Sequence, residues 1–120
     1  MTAVVLEQPV ADVVAVLEQA AAVIEANGFT KRYLYDRRQA GAGKSLRFCR
    51  VDVIGALNIA AHGTPVYAGS PAVASAEAAL LARITEAAIV TWNDATGRTA
   101  ADAVALLRNT ATELQAEEAK

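Results

Sequence analysis

This chain has one cysteine, one histidine, one methionine, one tryptophan and three prolines in 120 positions. Each scarcity excludes something. A single Cys49 cannot close an internal disulfide and suits a reducing compartment. Cys49 and His62 cannot fill a tetrahedral metal site alone, so neither a metal nor another cofactor is expected. No uncharged apolar stretch approaches the roughly 20 residues that span a bilayer, so no membrane partner is expected. The opening Met1-Thr2-Ala3-Val4-Val5-Leu6-Glu7 lacks a basic region, and its apolar run is too short for a signal peptide. A cytoplasmic location is the expectation. Repeats and low-complexity linkers are missing, and a chain of this length makes one domain, 1–120.

What is abundant is small and apolar. Hydrophobic residues make up 54% but aromatics only 5%, the excess being Ala, then Val and Leu. Ala favours helix and takes little room, which points to closely packed helices. Val10, Val13, Val14, Leu17, Ala21 and Ile24 follow helical spacing, with Asn27-Gly28 as a stop. The first helix is predicted over 8–28. Asp52 caps a second over 52–63, with Val53, Ile54, Leu57 and Ala61 inward and Gly63 ending it; Gly55 inside it suggests a close helix crossing.

Ser70-Pro71 starts a third helix over 70–92, which Thr85-Glu86 could split near 85. Its stripe is Val73, Glu77, Leu80, Leu81, Ile84, Ala88 and Trp92. Thr99-Ala100-Ala101-Asp102 resembles a capping box and opens the C-terminal helix, 99–117, with Val104, Leu107, Ala111 and Leu114 inward and Glu117, Glu118 and Lys120 fraying. The fold class is all-α: a compact bundle of four to five helices, with an irregular or short β-hairpin excursion over 29–51 between the first two. The hairpin would pair Tyr33-Leu34-Tyr35 with Leu46-Arg47-Phe48-Cys49 across Gly41-Ala42-Gly43.

The excursion concentrates charge. Phe29 to Arg50 holds seven of the eleven basic residues, four of the six aromatics, and one acid, Asp36. Its charge is +7 − 1 = +6, so in a chain of net −2 the remainder carries −8. Such separation concerns partners rather than fold. Lys31, Arg32, Tyr33, Tyr35, Arg37, Arg38, Lys44 and Arg47 are the candidate partner-binding residues. Cations beside Tyr33, Tyr35 and Phe48 also suit phosphates and stacked bases, which makes nucleic acid the alternative. Against it stands a sequence pI near 5.3, where dedicated nucleic-acid binders are usually basic. The bland account is a solvated loop whose cations answer acidic helix faces, with Phe29 and Phe48 plugging the core.

Other motifs are weaker. Gly43-Lys44-Ser45 could close a phosphate-binding loop, but the Gly needed five positions before Gly43 is Arg38. Cys49 and His62, oriented by Asn93 or Asp94, would make a thiol enzyme, the third hypothesis, but no spacing is diagnostic and free Cys is usually buried. No catalytic residue is assigned, and a non-enzyme is expected. Trp92, Asn93, Asp94 and Arg98 form a secondary candidate site. Its structural alternative has Trp92 in the core, Asn93 and Asp94 capping a turn, and Arg98 paired with Asp94.

Four segments together resemble a known group: the first helix ending in Asn27-Gly28-Phe29, then Cys49 through Gly55-Ala56-Leu57, then Trp92-Asn93-Asp94, then Gly97-Arg98-Thr99. They are similar to a family of small uncharacterised proteins of actinobacteria and their phages, which share a Gly-Trp, a Cys followed by Gly-Ala-Leu, a Trp-Asn-Asp and an Arg-Thr. Phe29 stands where that family has Trp, and the stretch from Tyr35 to Cys49 is unusually basic. The resemblance implies origin and fold but no activity. The leading expectation is a non-enzymatic interaction protein, phage-encoded and acting on its host, that binds another protein or itself. Ala lines such as Ala20, Ala21 and Ala22, or Ala74, Ala78 and Ala82, suggest a two-fold homodimer.

Overall fold

Pro9 caps the first helix, and Val10–Asn27 forms α1, in the computed structural model, which describes residues 7–119. The opening segment read for targeting, and Lys120, lie outside the described residues. Five more helices follow: α2 Arg37–Gly41, α3 Val53–His62, α4 Pro71–Leu81, α5 Ile89–Asp94 and α6 Ala100–Glu118. The fold is all-α, with no sheet among the described residues. None of these helices is long and apolar enough to cross a membrane.

The caps are local and follow from sequence. Gly28, at φ 101°, closes α1 by donating its N–H to Ile24. The Ser70 hydroxyl accepts from Val73 N–H at 3.3 Å to start α4. Thr99 and Asp102 complete a reciprocal capping box, with Asp102 in the place Glu usually takes. Burial supplies the rest. Val13, Leu17, Ala20, Ala21 and Ile24 of α1 meet Leu57 of α3, Leu80 of α4 and Leu107 and Ala111 of α6 in one core. Helix α6 lies antiparallel along α1: Arg108 pairs with Glu18 and Glu25, while Gln115 and Ala119 line a groove with Val10 and Val14.

Several expectations need correction. The helix expected over 70–92 is divided around 85, where the sequence allowed a split, because Ala82 to Ala88 is non-helical and Ala88 is extended. Leu81 closes α4 and is 40% exposed, since it falls at the last position of the helix. With α2 added, six helices replace four to five. The C-terminal helix runs past 117 to Glu118.

The excursion is not a hairpin. Arg37–Gly41 is one helical turn and Leu46–Phe48 a 3-10 turn, so the two β-prone runs never pair. Isolated two-stranded ribbons are marginal in water, and here the chain pairs with the core instead. Val51 is the stitch: its N–H donates to Gly28 O, its carbonyl accepts from Thr30 N–H, and Arg50 O accepts from Asp36 N–H. Gly55 also differs from expectation, since its close neighbour is a loop rather than a helix. A Cβ there would overlap the Leu34 carbonyl oxygen and sit 3.0 Å from its carbon.

Candidate functional site

The excursion is held from below by α5. Asn93 is 1% exposed and uses both ends of its amide. Its Oδ1 accepts from Val53 N–H (3.0 Å), and its Nδ2 donates to Thr30 O (3.2 Å) and Asp94 Oδ1 (3.0 Å). Asp94 Oδ1 in turn accepts from Arg32 N–H at 2.9 Å, and Lys31 Nζ donates to Ala95 O at 2.8 Å. The two sequence candidates therefore meet, with Asn93 and Asp94 forming the bracket on which the basic stretch is mounted. Trp92 is buried, and Arg98 stacks over its ring at 4.0 Å while bonding Trp92 O and Glu86. Arg98 does not pair with Asp94 as expected, because Asp94 faces the excursion.

Further along, the loop ties itself down. Asp36 caps α2 by accepting from Arg38 and Gln39 N–H, and pairs with Arg50 at 3.2 Å. These N–H donors, Gln39 first, hold its carboxyl below the usual range. Gln39 Oε1 accepts from Arg50 N–H at 2.7 Å. Cys49 is fully buried, its thiol pointed at the carbonyls of Ser45 (3.5 Å) and Lys44 (3.8 Å). His62 bonds Asn58 within α3. The segment containing Gly43-Lys44-Ser45 runs from α2 into a 3-10 turn, without the strand and helix that a phosphate loop joins. Among the described residues no group of three His, Cys, Asp or Glu could hold a metal ion.

Cys49→Ala should therefore cost about 1–3 kcal/mol in unfolding free energy, the range for deleting a small buried apolar group. Native Cys49 should react with a thiol reagent only as fast as the protein opens. Urea titration and labelling kinetics measure both.

What remains faces outward. Arg32, Tyr33, Arg37, Arg38, Lys44, Arg47 and Phe48 are exposed. Arg37 stacks on Tyr33 at 4.9 Å and Arg47 on Phe48 at 5.1 Å, with the two rings 50% and 54% exposed. Guanidinium over an open ring makes a flat, amphipathic contact surface. Lys31 and Tyr35 are half-buried and hold the loop rather than face a partner. Phe48 plugs nothing; it overhangs a groove of about 360 Å³ lined by Ala22, Val23, Ala26 and Ile59. Phe29 does pack against the core.

Arg32 is the singular residue of this surface. Its φ is +76°, the only left-handed non-glycine among the described residues. Such a conformation costs on the order of 1 kcal/mol for a residue with a side chain. The Arg32 N–H bond to Asp94 holds this backbone conformation, while within the described residues the guanidinium makes no hydrogen bond or ion pair. No sequence signal points there, since Gly or Asn would be usual at such a position.

Asp52 is marked by the sequence only as a cap, and it is more. It is 4% exposed and accepts from Gly55 N–H at 2.6 Å, below the excursion and α5. Burial, opposed by that bond and helped by Asp94, pushes its carboxyl up to about 7. The folded chain keeps a proton that the unfolded chain, with a carboxyl near 3.9, releases. This contribution to stability should then be complete below about pH 4 and fall on the order of 4 kcal/mol as pH rises to about 7. Asp52→Asn retains the acceptor without the charge and should flatten this fall, as thermal midpoints between pH 4 and 8 would show.

Compared with known protein families, residues 8–113 match the model of a family of unknown function, DUF6197. Neither a curated protein nor a solved structure matches the chain.

Proposed function

Since this chain belongs to the DUF6197 family of unknown function, no activity comes to it by relationship, and we propose that it is a non-enzymatic interaction protein whose excursion docks a protein partner. One observation carries this reading. Arg32 is held in an unfavourable backbone conformation by Asp94, yet among the described residues its guanidinium makes no hydrogen bond or ion pair. A strained backbone at an exposed residue is a mark of a functional surface. Around it lie two stacked Arg–aromatic pairs, the residue types that dominate binding energy at protein interfaces. The partner is another protein or a second copy of this chain. The unpaired, buried thiol suits the cytoplasm, in a host cell for a phage gene; an actinobacterial or phage source rests on the motif resemblance alone.

The same stacked rings favour a second reading, single-stranded nucleic acid, whose bases would lie on Tyr33 and Phe48. The −8 charge outside the window weighs against it by repelling a phosphate backbone. An enzyme has less support: Cys49 and His62 spend their hydrogen bonds in separate places.

Replacing Arg37, Arg38 and Lys44 with Glu shifts the window from +6 to 0. The thermal midpoint should move by no more than about 2 °C, since exposed charges contribute little to stability. Proteins that the parent retains from lysate after nuclease treatment should be lost from the variant. Equal capture by both would sink the reading, and capture abolished by nuclease would replace it with nucleic acid.

A further inference from the structure

The chain is electrically polarised along its length. It measures 48 × 29 × 21 Å, and the antiparallel pairing of α1 with α6 places the excursion at one end and the start of α1 beside the end of α6 at the other. At that far end Val10, Ala11, Val14, Gln115 and Glu118 line an apolar groove of about 330 Å³. This lies at the small end of binding-pocket sizes, room for a side chain rather than a cofactor. Its rim is acidic: Glu118 lines it and Glu7 lies just before α1, both are exposed, and among the described residues neither has an ion-pair partner. Glu113 and Glu117 lie nearby but answer Arg83. The basic end presents the opposite, exposed Phe48 and Tyr33 among Arg32, Arg38 and Lys44 with no acid partner of their own.

We infer that the excursion of one copy docks on the acidic groove of the next, an exposed ring entering the groove while Arg32, Arg38 and Lys44 meet Glu118 and Glu7. This rests on the reading of the excursion as a docking surface and names its occupant. Charge complementarity selects that occupant, because the chain itself carries an apolar groove with an acidic rim to match a basic aromatic knob. The two surfaces differ and face opposite ways, so the contact is heterologous and head-to-tail. It does not close as a two-fold dimer would, and it builds short open chains.

Sedimentation velocity over a concentration series tests this with nuclease-treated protein. The average mass should rise past that of a dimer in about 50 mM salt and return toward the monomer in about 500 mM salt, as screening of the paired ends requires. The basic-end variant (Arg37, Arg38 and Lys44→Glu) and the acid-end variant (Glu7→Lys with Glu118→Lys) should each be monomeric. Mixed in equal amounts they should associate again, because each now offers the other an opposite end. That rescue also shows that both variants are folded. Phe48→Ala should weaken association at least tenfold, as loss of an interfacial aromatic anchor does.

A parent that stays monomeric at the highest concentration overturns the inference, as does association that the mixed variants fail to restore. If the parent is monomeric but still captures proteins that the basic-end variant loses, only the occupant is wrong and the docking surface stands. If that capture is also unchanged, both fall. Mass growth seen only before nuclease treatment overturns the inference in favour of nucleic acid.

Discussion

Gly55→Ala should lower the unfolding free energy by about 4 kcal/mol, although helix propensity alone predicts a gain of about 1 kcal/mol. The sign is what makes the test useful. Gly55 lies in the first turn of α3, where Leu34 of the excursion lays its carbonyl directly on the helix. A methyl group cannot share that space, and the obstacle is backbone, which no rotamer change removes. Asp52 sits beside it, its carboxylate 3.1 Å from where the Cβ would be while also accepting from Gly55 N–H. Relief requires lifting Tyr33 to Asp36 off α3, which breaks the bonds of Asp36 and Asp52 N–H to Arg50 and Leu34 carbonyls. Those two amides should lose exchange protection first. A variant as stable as the parent would mean that the excursion is not seated on α3.

Asn93→Ala should cost about 3–5 kcal/mol for a different reason. The substitution is small, but it removes the partner of Val53 N–H at the N-terminus of α3 and one partner of the Thr30 carbonyl. Buried donors left unpaired lose the full desolvation penalty, about 1–3 kcal/mol each, and a cavity adds to it. Asp94 also loses the amide that fixes its carboxylate, so its grip on Arg32 weakens. Asn93→Asp keeps the acceptor for Val53 but sets a buried carboxylate against Asp94 and the Thr30 carbonyl, and should cost at least as much as Ala. Urea titration of the three proteins ranks them.

These two residues also mark where the sequence stops being legible. Helix α1 can be read because its period-3.6 stripe is long and its stop is Asn27-Gly28, both within the segment itself. The starts of α4 and α6 are readable for the same reason: Ser70 and Thr99 bond to backbone three residues on. Asn93 makes its bonds to Val53 and Thr30, 40 and 63 residues away, so its neighbours in sequence suggest only a turn. Tyr33-Leu34-Tyr35 has genuine β propensity, which a single bridge to Val51 satisfies, and a local reading cannot choose that partner over Leu46 to Cys49. Leu81 keeps the stripe's spacing but not its burial, because it falls at the last position of α4, where the chain turns away from the core. Composition does locate the charged stretch. It cannot separate Lys31 and Tyr35, which the fold uses, from Arg32, Arg37 and Arg38, which it leaves outside.

One substitution separates fold from binding. Arg32→Gly removes the side chain and the strain together, since glycine adopts φ +76° freely, while the backbone N–H to Asp94 remains. The measurement is the thermal midpoint of this variant beside its capture of the parent's nuclease-resistant protein partners, quantified by mass spectrometry. The expected result is a midpoint equal to or above the parent's with capture reduced about tenfold, the loss of one interfacial guanidinium. A midpoint unchanged with capture undiminished would contradict the docking role of Arg32, leaving the excursion as a basic loop that the fold merely tolerates.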